Sequence, residues 1–365
     1  MKRYYVIGLL SGSSLDGTDL AYCRFDVDPS SEPLLIDWEL IECITVPYSQ
    51  EWANKLKSLP SASAKELVMA DTELGHYYGT LIRQFIENKG IISCDLISSH
   101  GHTIYHFPEY QTTTQIGDGA AIVSETNLDT VTQLRSMDLA FGGQGAPLAP
   151  LGDKFLFPGY DLYLNLGGIS NITHLTDGRV VAFDISTCNQ LLNGLAMQLG
   201  FEYDRDGVIA SKGNMNSELM TLLQSDEYLK MHFPRSLDNT WCQLKHVIPA
   251  KEMNAPVEDK LYTSVEFIAR EIANAIQSLS VKSAASMFCT GGGALNTYLM
   301  QRIRHYNPNI ALQIPSKDIV EFKEASFIAL AGLWRYLCIP NLFSTVTGAS
   351  INTINGALYT KQKGD

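Results

Sequence analysis

Three short runs of glycine and small polar residues follow apolar, strand-like segments, and each can turn backbone N–H groups toward an anion. The first is Ser11-Gly12-Ser13-Ser14-Leu15-Asp16-Gly17-Thr18-Asp19, after the run YYVIGLL. The second is Gly167-Gly168-Ile169-Ser170-Asn171, after DLYLNL, and the third is Gly291-Gly292-Gly293-Ala294-Leu295-Asn296, after SMFCT. Successive N–H groups in such turns form nests for phosphate oxygens, and the carboxylates of Asp16 and Asp19 are of the kind that holds a hydrated Mg²⁺. Glycine also lets the backbone come close to a flat ligand, having no Cβ. One such run alone reads first as an ordinary turn. Three at strand ends point to a nucleotide held through its phosphates and its base. The chain has neither GxxxxGK[ST] nor a strand–GxGxxG–helix unit, so the two commonest nucleotide folds are excluded.

Other residues with chemical potential have plainer readings beside them. Asp184 closes the strand-like run RVVAFD; an aspartate before a helix is ordinarily an N-cap, and it is also a candidate carboxylate base. His100, His102 and His106 have spacing compatible with zinc and hence with a metal-dependent hydrolase, yet no fourth ligand follows, and a hydrogen-bonded cluster is the simpler reading. Cys188 has no neighbour that would lower its pKa and reads as a small packing residue.

The elements that must position these residues are legible as an alternation of strands and helices, which sets the α/β class. YYVIGLL and residues 20–27 form a glycine-turned hairpin, and DLYLNL, ITHL and RVVAFD repeat the pattern around the turn Thr176-Asp177-Gly178, which suggests internal duplication. Helical stretches are expected near residues 61–89 and over 261–279, where Leu261, Val265, Ile268, Ile272, Ile276 and Leu279 share a face. Ser186 and Thr187 can cap a helix carrying Leu191, Leu192, Leu195 and Leu199, stopped by Gly200. Between His100 and Pro150 the punctuation by Gly, Gln and Pro reads as loop.

At 365 residues the chain is long enough for two domains; they are expected at 1–160 and 161–365, with the C-terminal tail free to return to the first. The formal charge of −12, from 27 Lys and Arg against 39 Asp and Glu, excludes a nucleic-acid surface. Seven scattered cysteines without a CxxC pair fit a reducing compartment. The N-terminal apolar run breaks too early for a signal peptide, and no run reaches membrane-spanning length, so a cytoplasmic protein without a membrane partner is expected.

The ordered series GLLSGSSLDGTD, SSHGHTIYH, QIGDG, LAFGGQGAPLAP, NLGGISNIT, the Asp184 segment, CTGGGALN and VTGAS resembles the motif series of the anhydro-N-acetylmuramic acid kinases, over residues 8–350. That family belongs to the actin, hexokinase and Hsp70 ATPase superfamily. The resemblance implies a two-lobed, ribonuclease H-like α/β fold with duplicated mixed sheets and an interdomain cleft. It also implies ATP and Mg²⁺ as cofactors, a small sugar as substrate and a homodimer. The implied reaction is opening of a 1,6-anhydro ring by water, with phosphorylation of the released 6-oxygen, in peptidoglycan recycling. Gly12 to Asp19 would be the ATP-phosphate loop, and Gly167, Gly168, Asn171, Gly291, Gly292, Gly293 and Asn296 would complete the nucleotide site. Asp184 would activate water, and His100, Arg135, Gln144 and Glu324 would meet the sugar.

The chain departs from the family pattern mainly on the sugar side. DTGPGN reads Asp184-Ile185-Ser186-Thr187-Cys188-Asn189, with larger side chains where glycines stood. DFR reads Gln133-Leu134-Arg135, and PKSxGKE reads Pro234-Arg235-Ser236-Leu237-Asp238-Asn239-Thr240. SHGQT reads Ser99-His100-Gly101-His102-Thr103. The alternative that follows is a catalytically degenerate member acting as a nucleotide- or sugar-binding regulator.

Overall fold

The computed structural model describes every residue except 13, 14, 29, 32, 33, 177, 178, 234, 280, 283 and 363–365. Ser13 and Ser14 of the first glycine run, Asp177 and Gly178 of the expected hairpin turn, and Pro234 thus lie outside the described residues. The chain divides into two compact units: residues 1–158 together with 322–365, and residues 159–321.

The first unit is built on β1 (Lys2–Ser11), β2 (Gly17–Val27), β3 (Leu35–Pro47), β4 (Leu96–Phe107), β5 (Thr112–Ile116) and β6 (Thr130–Thr132). The second holds β7 (Leu162–Leu166), β8 (Ile169–Thr176), β9 (Arg179–Thr187), β10 (Ser286–Thr290) and β11 (Ala311–Gln313), and the chain then adds β12 (Ala357–Tyr359) to the first sheet. β1, β2 and β3 pair antiparallel in sequence, while β4 lies parallel to β1 and β6 parallel to β4. β7, β8 and β9 repeat the antiparallel trio, with β10 parallel to β7 and β11 parallel to β10. The same order and the same directions recur strand for strand. This is the duplicated ribonuclease H-like arrangement, extended in the first unit by β5 and β12 at its margins.

In the first unit both faces of the sheet are covered, and the alternation along β1 shows how. Val6 joins Phe25, Leu330 and Trp334 on one face; Ile7 and Leu9 join Leu74, Tyr78 and Ile82 on the other. The Lys317–Tyr336 helix lies directly on the backbone of β1 and β4. A Cβ at Gly8 would stand 2.0 Å from the carbonyl oxygen of Ala325, and one at Gly332 would stand 2.3 Å from the Ser98 side chain. Gly8→Ala therefore has to lift the helix off the sheet and is expected to cost about 1–3 kcal/mol. The check is a lower urea midpoint with an unchanged slope; an unmoved midpoint would contradict the packing.

The helices carry their expected signals. The Ala64–Lys89 helix begins with a Ser63/Glu66 capping box and ends at Gly90 in the left-handed region. The Val257–Ser278 helix buries Leu261, Val265, Ile268, Ile272 and Ile276 as the spacing predicts.

Two sequence expectations are corrected. Residues 100–150 are not mainly loop: β4 runs on to Phe107, and β5, the Gly119–Thr126 helix, β6 and the Ser136–Ala140 helix follow. Gly101, at φ +72°, sits where the β1–β4 register shifts between Leu9 and Ser11, so it marks a bulge and not a strand end. Ser186 and Thr187 do not cap a helix; they belong to β9, and the Asn189–Ala196 helix starts after Cys188 with no side-chain cap. Its first N–H groups are taken instead by carbonyls of the second glycine run. Asn189 N–H donates to Gly167 O at 3.0 Å, and Gln190 N–H to Gly168 O at 3.2 Å. Leu199 falls in a short 3₁₀ turn and stays 42% exposed.

Candidate active site

In the first unit, β1 ends at Ser11 and β2 begins at Gly17, so the first glycine run is the turn of a hairpin. Leu15 holds φ at +61°, and its N–H reaches Gly12 O at 3.4 Å. A Cβ at Gly17 would come within 2.5 Å of Val46 O, which ties glycine at this position to the close approach of β3. Asp16 is exposed, Asp19 accepts from Thr45 Oγ1 at 2.5 Å, and the fully buried Thr18 hydroxyl has no hydrogen-bond partner among the described residues.

The candidate sugar residues of this unit gather around Arg135. Its Nε donates to His100 Nε2 at 2.8 Å and its Nη1 to Gly145 O at 3.3 Å. Burial, and then the neighbouring guanidinium, hold the His100 pKa down to about 3. The ring is therefore neutral, accepts at Nε2, and carries its proton on Nδ1, 3.2 Å from Gly101 O. Burial lowers the Arg135 pKa to about 10, with Glu324 pulling the other way, so the guanidinium stays charged at neutral pH. Glu324 is exposed, and Gln144 is exposed with its N–H on Thr347 O at 2.9 Å. His102 and His106 are also occupied, by Ser11 and Thr113, and no group of three possible metal ligands occurs among the described residues.

A residue that sequence reasoning passed over holds this region together. Asp138 is fully buried; its Oδ2 accepts from Gly145 N–H at 2.8 Å, and its Oδ1 accepts from the hydroxyls of Thr347 at 2.8 Å and Thr353 at 3.2 Å. A Cβ at Gly143 would lie 2.1 Å from that carboxylate. The glycines of GGQG are thus the room the loop needs to close over Asp138, and Gly145 O, fixed in this way, receives Arg135. A carboxylate three residues after Arg135 and five before Gly143 was the available signal.

In the second unit the other two glycine runs meet. β10 pairs with β7 so that Thr290 lies opposite Asn165. Gly291, at φ +79°, would bring a Cβ to 2.7 Å from Leu166 O, and Gly293 would bring one to 2.8 Å from the Leu166 side chain. Asn189 Nδ2 donates to Leu166 O at 2.8 Å and ties the Asp184 segment to the same point. Asn296 commits its side-chain oxygen to capping the Thr297–Tyr306 helix, accepting from Leu299 N–H at 3.0 Å.

Asn165, Asn171 and Asp184 lie opposite one another in a row across β7, β8 and β9. Asp184 is half-buried, and burial raises its pKa while the Leu237 N–H on Oδ2, at 2.8 Å, pulls it back. The other carboxyl oxygen has no partner among the described residues. Arg235 does not pair with this carboxylate. Its guanidinium donates to the carbonyls of Asp184, Tyr228, Leu229 and Met231 and lies over the Tyr228 ring, 4.9 Å from its centroid. It holds the 228–237 segment against β9 and so aims the Leu237 N–H.

A family model described as anhydro-N-acetylmuramic acid kinase matches residues 4–361. The chain belongs to that family. The anhydro-N-acetylmuramic acid kinase of Shewanella denitrificans is 32% identical over 378 residues, covering 98% of this chain and 99% of its own. That of Bacillus thuringiensis (strain Al Hakam) is 30% identical, covering 98% of each chain. Among solved structures, the activator of the 2-hydroxyisocaproyl-CoA dehydratase from Clostridium difficile covers 90% of this chain and 94% of its own at 13% identity and TM-score 0.43. As an anhydro-N-acetylmuramic acid kinase family member, the chain is a phosphotransferase acting on a hydroxyl group.

Against this family the altered residues after Asp184 have a definite fate. Ser186, Thr187 and Cys188 are fully buried: Ser186 bonds Ser170, Thr187 bonds His246, and Cys188 packs in the core of the second unit. Burial pushes the Cys188 thiol up to about 12, so it is inert at neutral pH. The added side chains fill the interior and do not occupy the free oxygen of the Asp184 carboxyl.

Proposed function

We propose that this kinase opens 1,6-anhydro-N-acetylmuramic acid with water and phosphorylates its 6-oxygen from ATP, as a step of cell-wall recycling. The observation that carries this is the Asp184 carboxyl, with one oxygen held by Leu237 N–H and the other without a partner among the described residues, in surroundings that raise its pKa. A carboxylate so poised takes a proton from water as the water oxygen bonds to the anomeric carbon. The bond from that carbon to the bridging 6-oxygen breaks, and the freed oxygen attacks the γ-phosphorus of ATP, releasing ADP. Backbone N–H groups of the loop at residues 12–19, and those of the glycine runs at 167–168 and 291–293, are assigned to the nucleotide. Arg135, with His100 holding its guanidinium, and Glu324 are assigned to the polar groups of the sugar.

Mg²⁺ usually binds through one or two carboxylates and substrate phosphates, a need that the exposed Asp16 within the loop meets. When bound there, the ion would neutralise charge on the phosphates. Seven cysteines without disulfides and the use of ATP favour the cytoplasm, and the family resemblance favours a homodimer.

The regulator alternative rested on the altered residues around Asp184 and around Pro234, and burial of those after Asp184 in the core removes the first of these motives. The test is incubation of purified protein with ATP, Mg²⁺ and a panel of 1,6-anhydro sugars. Stoichiometric ADP and a 6-phosphorylated reducing sugar are expected with the N-acetylmuramic compound. ADP release that is the same with and without sugar would defeat the assignment.

A further inference from the structure

We propose that His102 is a positioning residue for the phosphate-binding loop, acting in its neutral form as the acceptor that anchors Ser11 at the root of that loop. This rests on the reading of residues 12–19 as the loop that takes the ATP phosphates.

Ser11 is the last residue of β1; it stands opposite Thr18 of β2 on one side and His102 of β4 on the other. Both ends of the loop therefore meet at this point. Ser11 is 4% exposed and His102 is 6% exposed, so water does not substitute readily for their contact. The Tyr48 hydroxyl donates to Ser11 Oγ at 2.7 Å and lies 2.9 Å from the Tyr78 hydroxyl, which is fully buried on the Ala64–Lys89 helix. Ser11 Oγ is 2.9 Å from His102 Nδ1.

Counting hydrogens gives this chain a direction. Tyr48 has one hydrogen and spends it on Ser11, so it accepts from Tyr78. Ser11 then passes its own hydrogen to His102 Nδ1, which must be unprotonated, and the ring carries its proton on Nε2. A second proton on the imidazole turns Nδ1 into a donor. Ser11 Oγ then faces two donors, and its hydrogen has to seek a new acceptor in a buried place. The neighbouring Thr18 hydroxyl, buried and without a partner among the described residues, would take that hydrogen only by moving into bonding distance of Ser11, which shifts the root of the loop.

Titratable groups on the packed elements are His100 on the same strand, Tyr48 after β3, and Tyr77 and Tyr78 on the helix. Arg135 is reached through His100, and Asp71 and Asp118 line the small cavity beside Gly101. Burial lowers the His102 pKa from its usual 6.5, so the ring is neutral at pH 7 and protonates on the acid side.

The experiment follows the KM for ATP and kcat over about pH 5.5–8 for the full-length protein and its variants. In the unaltered protein the KM for ATP is expected to rise as pH falls through the lowered pKa of His102, on the acid side of the ordinary histidine range, with kcat following separately the titration of the base. His102→Gln keeps an acceptor that does not titrate, and it should hold KM near the parent value while removing the acid rise. His102→Phe should raise the KM for ATP about tenfold at every pH, the scale of one lost buried hydrogen bond, with a smaller change in kcat. Ser11→Ala probes the same contact from the other side, should His102→Phe fold poorly.

Retention of the full acid rise in His102→Gln, or parental ATP affinity in both His102→Phe and Ser11→Ala, would overturn the proposal. Calorimetric ATP affinities of the same proteins keep it apart from the kinase reading, whose failure would be absence of turnover in the unaltered protein. The ¹⁵N spectrum of His102 adds a check without nucleotide: the Nε2–H tautomer is expected at pH 7, and Nδ1–H would exclude the mechanism.

Discussion

Asp184→Asn is expected to lower kcat by about 10²–10⁴-fold, the range for loss of a positioned general base. Asparagine is nearly the same size, and its side-chain oxygen can still accept the Leu237 N–H that Asp184 accepts at 2.8 Å. The 228–237 segment should stay in place, since Arg235 grips it through carbonyls and not through the carboxylate. Thermal unfolding close to the parent, together with the lost turnover, separates loss of the base from loss of structure. In the active protein the base works only when ionised, and burial raises its pKa from the usual 3.8. Turnover should therefore decline as pH falls through that raised value and be flat above it. Activity preserved in the asparagine variant would assign the base elsewhere.

The second large effect is on stability. Asp138→Ala removes the acceptor of Gly145 N–H and of the Thr347 and Thr353 hydroxyls, all inside the first unit. Stranding several buried donors, where a charged partner had held them, is expected to cost about 3–5 kcal/mol. Urea unfolding measures it, and a loss under about 1 kcal/mol would mean that water restores the bonds. Asp138→Asn should cost less, because it keeps one acceptor oxygen. Both variants should also weaken sugar binding through Arg135, whose Nη1 donates to the carbonyl of Gly145.

The contrast between these two aspartates shows what was legible in the sequence. The strand that carries Asp184 could be read from the apolar run RVVAFD after the turn at 176–178, and its role followed from the family motif in which it stands. Asp138 offered only its place between Arg135 and Gly143, because most of the groups that bond it, at Thr347, Thr353 and Asn355, lie more than two hundred residues away. A polar residue is read by default as exposed, and only the folded chain reveals that several donors converge on it.

The glycine runs were found because a turn without Cβ leaves a mark on composition. Their pairing was not, since the contact of Gly291 and Gly293 with Leu166 depends on β10 lying parallel beside β7. Residues 100–107 failed for a related reason: the bulge at Gly101 and the histidines and threonines of β4 imitate a loop, while the strand continues by pairing with β5. The reading of Ser186 and Thr187 as caps failed because carbonyls of the second glycine run already serve the helix end.

The close seat of the Lys317–Tyr336 helix on Gly8 has a consequence for how the protein is made. Residues 1–158 emerge before residues 159–321, yet the face of β1 that carries Val6 and Gly8 takes much of its cover, including the contact on Gly8 itself, from residues synthesised after 322. Residues 159–321 have their own core and all of their own strands before that point. The later-made unit is thus the first able to finish folding. A chain released near residue 320 would carry a completed second unit and an open, adhesive first sheet, the kind of surface that chaperones hold.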